Sequence, residues 1–134
     1  MTNAVADTNV FLRYLTADLP NQAEKIEARF RQAKSGKIMI SVLHIAVVEI
    51  LFHLENWYHL SKKESSDKLV LLFSQPWLDV DEKRAVLFAL TCYPVFNIDF
   101  VDLLTWSIAK IKNVKILSFD KHYDRLAPKL RLNP

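Results

Sequence analysis

The apolar positions of the chain fall into short continuous runs that alternate with longer runs at helical spacing, the signature of strands interleaved with helices. The first run, Asn3 to Ala6, is short and is closed by Asp7. Val10, Phe11, Tyr14 and Leu15 then recur at helical spacing. Pro20 suits the first turn of a second helix, and Gly36 suits its stop. Lys37 to Ser41 predicts a buried strand and Leu43 to Tyr58 a long helix. Ser61 and Glu64 form a capping box that opens a helix running to the neighbourhood of Ser74. Trp77 to Asp81 predicts a strand, and Glu82 to Cys92 a helix ended by Pro94. A further helix spans Asp99 to Ile111, with Asn113 as a left-handed cap. Val114 to Phe119 predicts a strand, His122 to Ala127 a short helix, and Leu130 to Leu132 a last edge strand. This alternation predicts an α/β domain with a parallel sheet. With one glycine and no flexible tract, residues 1–134 read as a single domain.

Composition narrows the functional classes. The chain is 51% hydrophobic and 25% charged, an ordinary globular balance. The longest apolar stretch, Ile45 to Leu54, is broken by Glu49 and His53, far short of the ~20 apolar residues of a membrane span. The first residues carry neither a basic region nor a long apolar run, so no secretion signal is expected. Cys92 is the only cysteine, which rules out an internal disulfide and suits a reducing cytoplasm. Lys and Arg number 18 against 15 Asp and Glu, a net charge of +3 that permits a polyanionic partner without demanding one. The basic clusters at Lys62-Lys63, Lys110 to Lys115, Lys121-His122 and Lys129 to Arg131 read first as solvated faces.

Most of the acidic residues sit on polar faces or near helix starts, but a few are placed differently. Asp7 stands where an apolar strand stops and a helix begins; it reads as an N-cap, yet ligand sites of open α/β sheets also lie beyond the carboxyl ends of strands. Glu49 interrupts an apolar helix, and burial of that face is expected to demand either a partner such as His53 or a metal ion. Asp99 reads as a helix cap, whereas Asp102 projects from the first turn and is the better ligand candidate. Asp120 repeats the placement of Asp7 at the end of an apolar strand, and two parallel strands ending so would set both carboxylates side by side. Asp124 reads as outward-facing or as a support to that group.

Gathering such groups is costly: two unit charges ~4 Å apart repel by ~4 kcal/mol at an effective dielectric of about 20. A bound cation removes that cost. Oxygen donors without cysteine, and without a histidine pair at zinc spacing, favour Mg²⁺ or Mn²⁺.

The four segments, in order, resemble the PIN-domain ribonucleases, especially the VapC-like toxins of toxin–antitoxin pairs. Val5-Ala-Asp7-Thr-Asn9-Val-Phe-Leu12 resembles the opening strand and turn of that family, and Val48-Glu49-Ile-Leu51 its acidic helix. Asp99-Phe-Val-Asp102-Leu-Leu104 resembles the third acidic motif and Ile116-Leu-Ser-Phe-Asp120-Lys-His-Tyr123 the fourth. The resemblance implies a three-layer α/β/α sandwich around a mostly parallel sheet. It implies that Asp7, Glu49, Asp102 and Asp120 bind Mg²⁺ or Mn²⁺ and carry catalysis, with Asn9 orienting the cluster; Asp99 and Asp124 are further supporting candidates. RNA is the implied substrate, cleaved by metal-assisted hydrolysis, and a homodimer and an antitoxin protein are the implied partners. An apolar patch at Trp57, Tyr58 and Leu60 is a candidate interface. The chain departs from the family pattern at Asn113, at Ser118, and at His122, where an acidic residue is usual. None of its four histidines is expected to act in catalysis.

Two other readings compete. One is a non-catalytic PIN-like module that binds RNA or protein. The other is a phosphatase with a strand-end aspartate, which would require a second aspartate at the position Asn9 occupies.

Overall fold

A computed structural model describes residues 2–134. The chain runs β1 (Thr2–Val5), α1 (Thr8–Thr16), α2 (Pro20–Lys34), β2 (Ile38–Val42), α3 (His44–Asn56) and α4 (Lys62–Phe73). It continues through β3 (Leu78–Val80), α5 (Lys83–Cys92), α6 (Phe100–Lys112), β4 (Ile116–Leu117), a 3-10 turn (Lys121–Arg125) and β5 (Arg131–Leu132). Every strand pair is parallel, as the alternation of strand and helix requires. The result is the expected α/β/α layered architecture.

The termini of the helices follow their cap chemistry. Asp7 caps α1 by accepting from the Val10 amide at 3.2 Å. Ser61 and Glu64 close the capping box of α4 in both directions. Gly36 and Asn113 occupy left-handed positions at φ 81° and 57°, the cap roles assigned to them. Glu82 stands at the N-cap of α5, left-handed at φ 53° and without a side-chain cap hydrogen bond.

The core is built from the inward faces of these helices. Phe11 of α1 lies 6.0 Å from Phe30 of α2 and meets Phe73 of α4 edge-on at 5.3 Å. From α3, Ala46, Val47, Ile50, Leu51 and Leu54 are buried against it, the stripe its periodicity predicts. α6 packs on α5, where the buried Ser107 hydroxyl donates to the Ala85 carbonyl at 2.8 Å. The Trp106 indole of α6 donates to the Pro128 carbonyl at 3.1 Å and so holds the segment before β5.

The sheet differs from the expectation in one respect that matters for the site. β1, β2 and β3 form one sheet in the order β1-β2-β3, while β4 and β5 form a separate pair. Among the described residues β1 is hydrogen-bonded only to β2, so its residues remain exposed along an open edge. Val114 to Phe119 was expected to be a full strand, but only Ile116 and Leu117 are laddered, which leaves β4 too short to bridge the two sheets. The final helical segment is a 3-10 turn, wound on Asp120, whose side chain accepts from the His122 amide.

No helix among the described residues is long and apolar enough to cross a membrane. The expected patch after α3 is reduced to one residue: Trp57 is 71% exposed, but Tyr58 and Leu60 pack against the core. Tyr58 also donates to Asp18 at 2.9 Å.

Candidate functional site

The carboxylates gather in two places. The first lies where β1 gives way to α1, beside α3. Asp7, Thr8 and Asn9 line a pocket of about 350 Å³ together with Leu43, Ile45 and Glu49. The Thr8 hydroxyl donates to the Glu49 carboxylate at 3.1 Å, a contact that joins two motifs 41 residues apart. The sequence reading of Glu49 as buried is corrected here, since its side chain is exposed. Ile45 and Phe52 on the same flank are 54% and 57% exposed, so the polar face of α3 is wider than its apolar sequence suggests. Nor does His53 neutralise Glu49: its Nδ1 bonds the Glu49 backbone carbonyl at 2.7 Å, leaving the carboxylate to Thr8 and the pocket.

The second gathering lies where α6 begins and β4 ends. Oxygens of Asp102 and Asp120 and a ring nitrogen of His122 all lie within 4.8 Å of one another. The His122 Nδ1 is 3.1 Å from Asp120 Oδ1. Tyr123, buried in the same 3-10 turn, donates its hydroxyl to Asp102 at 3.1 Å and so ties the turn to α6. Burial first, and then the Asp102 charge, raise the Tyr123 phenol above its ordinary value, which keeps it a donor. Asp120 is a cap as well as a cluster member, accepting from the His122 amide at 2.9 Å.

The structure therefore brings together Asp7, Asn9 and Glu49, and separately Asp102 and Asp120. Among the described residues no group within 4.8 Å contains all four. The side-by-side arrangement of Asp7 and Asp120 is not realised as neighbouring hydrogen-bonded strands, because β1 pairs with β2 and β4 with β5. Asp99 occupies the N-cap of α6 but its side chain makes no cap hydrogen bond. It instead lines a groove between α3 and α6 with Phe52, Glu55, Tyr93 and Asp102. Asp124 stands apart from both groups. Its carboxylate receives Arg131 Nε at 3.2 Å and Nη2 at 3.0 Å, and the guanidinium holds it below the usual carboxylate range.

Sequence reasoning noted His122 only as a departure from the family pattern and gave it no ligand role, since metal-assisted hydrolysis needs no histidine. Only the winding of the 3-10 turn on Asp120 brings the ring back to the carboxylate. Several of the basic residues prove to be structural. Lys112 pairs with Glu82, Lys63 with Asp67, and Lys62 and Lys110 lie over aromatic rings. Lys115, before β4, and Lys121, next to Asp120 in the chain, remain exposed.

The second gathering suits a hard divalent cation. A six-coordinate ion with ~2.1 Å bonds places neighbouring donors ~3.0 Å apart and opposite donors ~4.2 Å apart, close to the spacing found. The first gathering offers two more carboxylates and the Thr8 hydroxyl, all oxygen donors. A sequence profile of the PIN domain family matches residues 4–129, a span that includes both gatherings. No curated protein and no solved structure matches the chain.

Proposed function

The chain belongs to the PIN domain family, and from that premise we propose that it is a metal-dependent endoribonuclease with Asp7, Glu49, Asp102 and Asp120 as its metal-holding carboxylates. PIN domains are generally nucleases that use a divalent cation. The observation that carries the reading here is the convergence of Asp102, from the third motif, with Asp120 and His122, from the fourth, on one point of the surface. Repulsion between the carboxylates makes that convergence unfavourable without a counter-ion. Mg²⁺ or Mn²⁺, when bound, supplies charge neutralisation at the phosphate and a water of lowered pKa.

The chain's own residues supply the rest. The cap hydrogen bonds of Asp7 and Asp120 each engage Oδ1, so Oδ2 is left to serve a cation. Tyr123 fixes the rotamer of Asp102, and Thr8 that of Glu49. Asn9, on the rim of the first pocket, is placed to hydrogen-bond a ribose or phosphate oxygen. Lys115 and Lys121 offer positive charge to the flanking backbone of the substrate.

The resemblance of the ordered motifs to VapC-like toxins supports a toxin role, an antitoxin partner, a homodimer and residues 1–134 as one nuclease domain. The same resemblance, with the single cysteine, supports a cytoplasmic location. The division of the carboxylates between a pocket and a separate surface cluster favours a second reading, a non-catalytic PIN-like module that binds RNA or protein.

Cleavage of a structured RNA by purified protein in EDTA, Mg²⁺ or Mn²⁺ decides between them. Cutting that needs metal and disappears in both Asp7→Asn and Asp102→Asn establishes the nuclease and joins the two gatherings in one site. RNA binding without cutting in any metal selects the binding module.

A further inference from the structure

We propose that His122 is itself a ligand of the bound cation and biases the site toward Mn²⁺ over Mg²⁺. The inference rests on the metal-dependent reading of the Asp102–Asp120 group and adds a nitrogen donor to it. The 3-10 turn is short, and both its neighbours are fixed. Asp120 accepts the His122 amide at 2.9 Å, and the Tyr123 ring is buried with its hydroxyl on Asp102. The imidazole Nδ1 pairs with Asp120 Oδ1 at 3.1 Å, and a cation entering this contact would meet both atoms as neighbouring donors, close to the ~3.0 Å spacing of an octahedral shell. The side chain is 55% exposed, so a cation reaches it without rearranging the core.

Donor chemistry sets the selectivity. Mg²⁺ takes an almost purely oxygen shell and parts with water reluctantly, whereas first-row transition ions accept imidazole readily. A carboxylate at this place would leave the shell all oxygen and indifferent to that distinction. The other histidines do not compete where the structure shows their contacts. His53 Nδ1 bonds a backbone carbonyl at 2.7 Å, and His44 is engaged by Asp81 beyond the carboxyl ends of β2 and β3.

Pulsed electron paramagnetic resonance of the Mn²⁺-loaded protein reads the ligand directly, through the magnetic coupling of an imidazole nitrogen. The coupling is expected in the wild type and in His53→Asn, and is expected to vanish in His122→Asn. Calorimetric titration adds the selectivity: His122→Asp is expected to lower the ratio of Mn²⁺ to Mg²⁺ affinity by about tenfold or more. Absence of nitrogen coupling in the wild type, its survival in His122→Asn, or an unchanged affinity ratio would each overturn the inference. RNA cleavage measured on the same samples separates the two ideas. Cutting without nitrogen coupling sinks the ligand and spares the nuclease. Coupling without cutting spares the ligand and removes the nuclease.

Discussion

Replacing Asp102 by Asn removes one charge from the second gathering while keeping its hydrogen bond. The Tyr123 hydroxyl that donates to Asp102 can donate equally to an amide oxygen, so the tie between α6 and the 3-10 turn survives. What is lost is repulsion from Asp120. At the 4.8 Å limit of the cluster, two unit charges repel by ~0.9 kcal/mol in water and ~3.5 kcal/mol at an effective dielectric of 20. With the Asp120 side chain 41% exposed, the lower part of that range applies, about 1 to 1.5 kcal/mol. For a domain of this size, each kcal/mol moves the melting temperature by about 4 °C. In EDTA at about pH 8, where histidines are ordinarily neutral, Asp102→Asn should therefore melt about 4 to 6 °C above the wild type. Metal reverses the order. A cation at 100 times its Kd adds ~2.7 kcal/mol to the wild type, roughly 10 °C, and much less to the variant. Differential scanning fluorimetry with and without Mn²⁺ measures both. If metal-free Asp102→Asn melts below the wild type, or if metal raises both equally, Asp102 is a structural residue and no ligand.

Three further outcomes follow from contacts elsewhere. Ser65 and Ser66 of α4 are 0% and 2% exposed and their hydroxyls have no partner, so Ser66→Ala should stabilise the protein by about 1 kcal/mol in urea unfolding; a loss of stability would mean the hydroxyl is satisfied. Leu54→Ala removes a fully buried side chain where α3 meets the core and should cost about 2 to 5 kcal/mol, read as a lower urea midpoint at unchanged slope. Asp124 is held below its ordinary pKa chiefly by the hydrogen bond from Arg131, so this pair stabilises above the unfolded carboxyl value of ~3.9 and the gain is lost as pH falls through the folded value. Arg131→Gln should accordingly flatten the acid limb of a stability–pH profile below about pH 4, and an unchanged limb would discount the pair.

Much of this was legible because local rules and tertiary structure agree. The capping box at Ser61 and Glu64, the left-handed Asn113 and the buried stripe of α3 are each fixed by a few neighbouring residues. The acidic motifs were legible for a related reason: a carboxylate at a strand end or in an apolar helix contradicts its surroundings. What the sequence withheld depends on distant partners. Glu49 was read as buried because its helix is apolar, yet exposure is decided by which neighbours α3 has, and none covers Ile45 or Phe52. The contact between Thr8 and Glu49 spans 41 residues and leaves no periodic trace. Likewise the break between the β1-β2-β3 sheet and the β4-β5 pair reflects a ladder of only two residues in β4, whereas the apolar run from Val114 to Phe119 promised a longer one. His122 was noted as a departure from the family pattern but not placed beside the carboxylates, because that placement lies in a turn, and turns this short are set by the residues they are wound between.

The aspartates at the ends of β1 and β4 hold two posts at once, and this shapes which mutations the chain can survive. Asp7 caps α1 and Asp120 caps the 3-10 turn, while Asp7 also lines the first pocket and Asp120 belongs to the cluster with Asp102 and His122. Replacement by Ala removes the cap along with the chemistry, at about 1 kcal/mol, enough to raise the unfolded fraction roughly fivefold. Replacement by Asn keeps a capping oxygen and loses only charge. In a cell, chains altered to Ala here would be cleared by proteases as well as inactivated, whereas Asn chains would persist as intact, inert copies. Inactive yet abundant variants at these two positions should therefore be mostly Asn, Ser or Thr, which keep a capping oxygen without the charge, because the residue that places the charge also fastens the backbone.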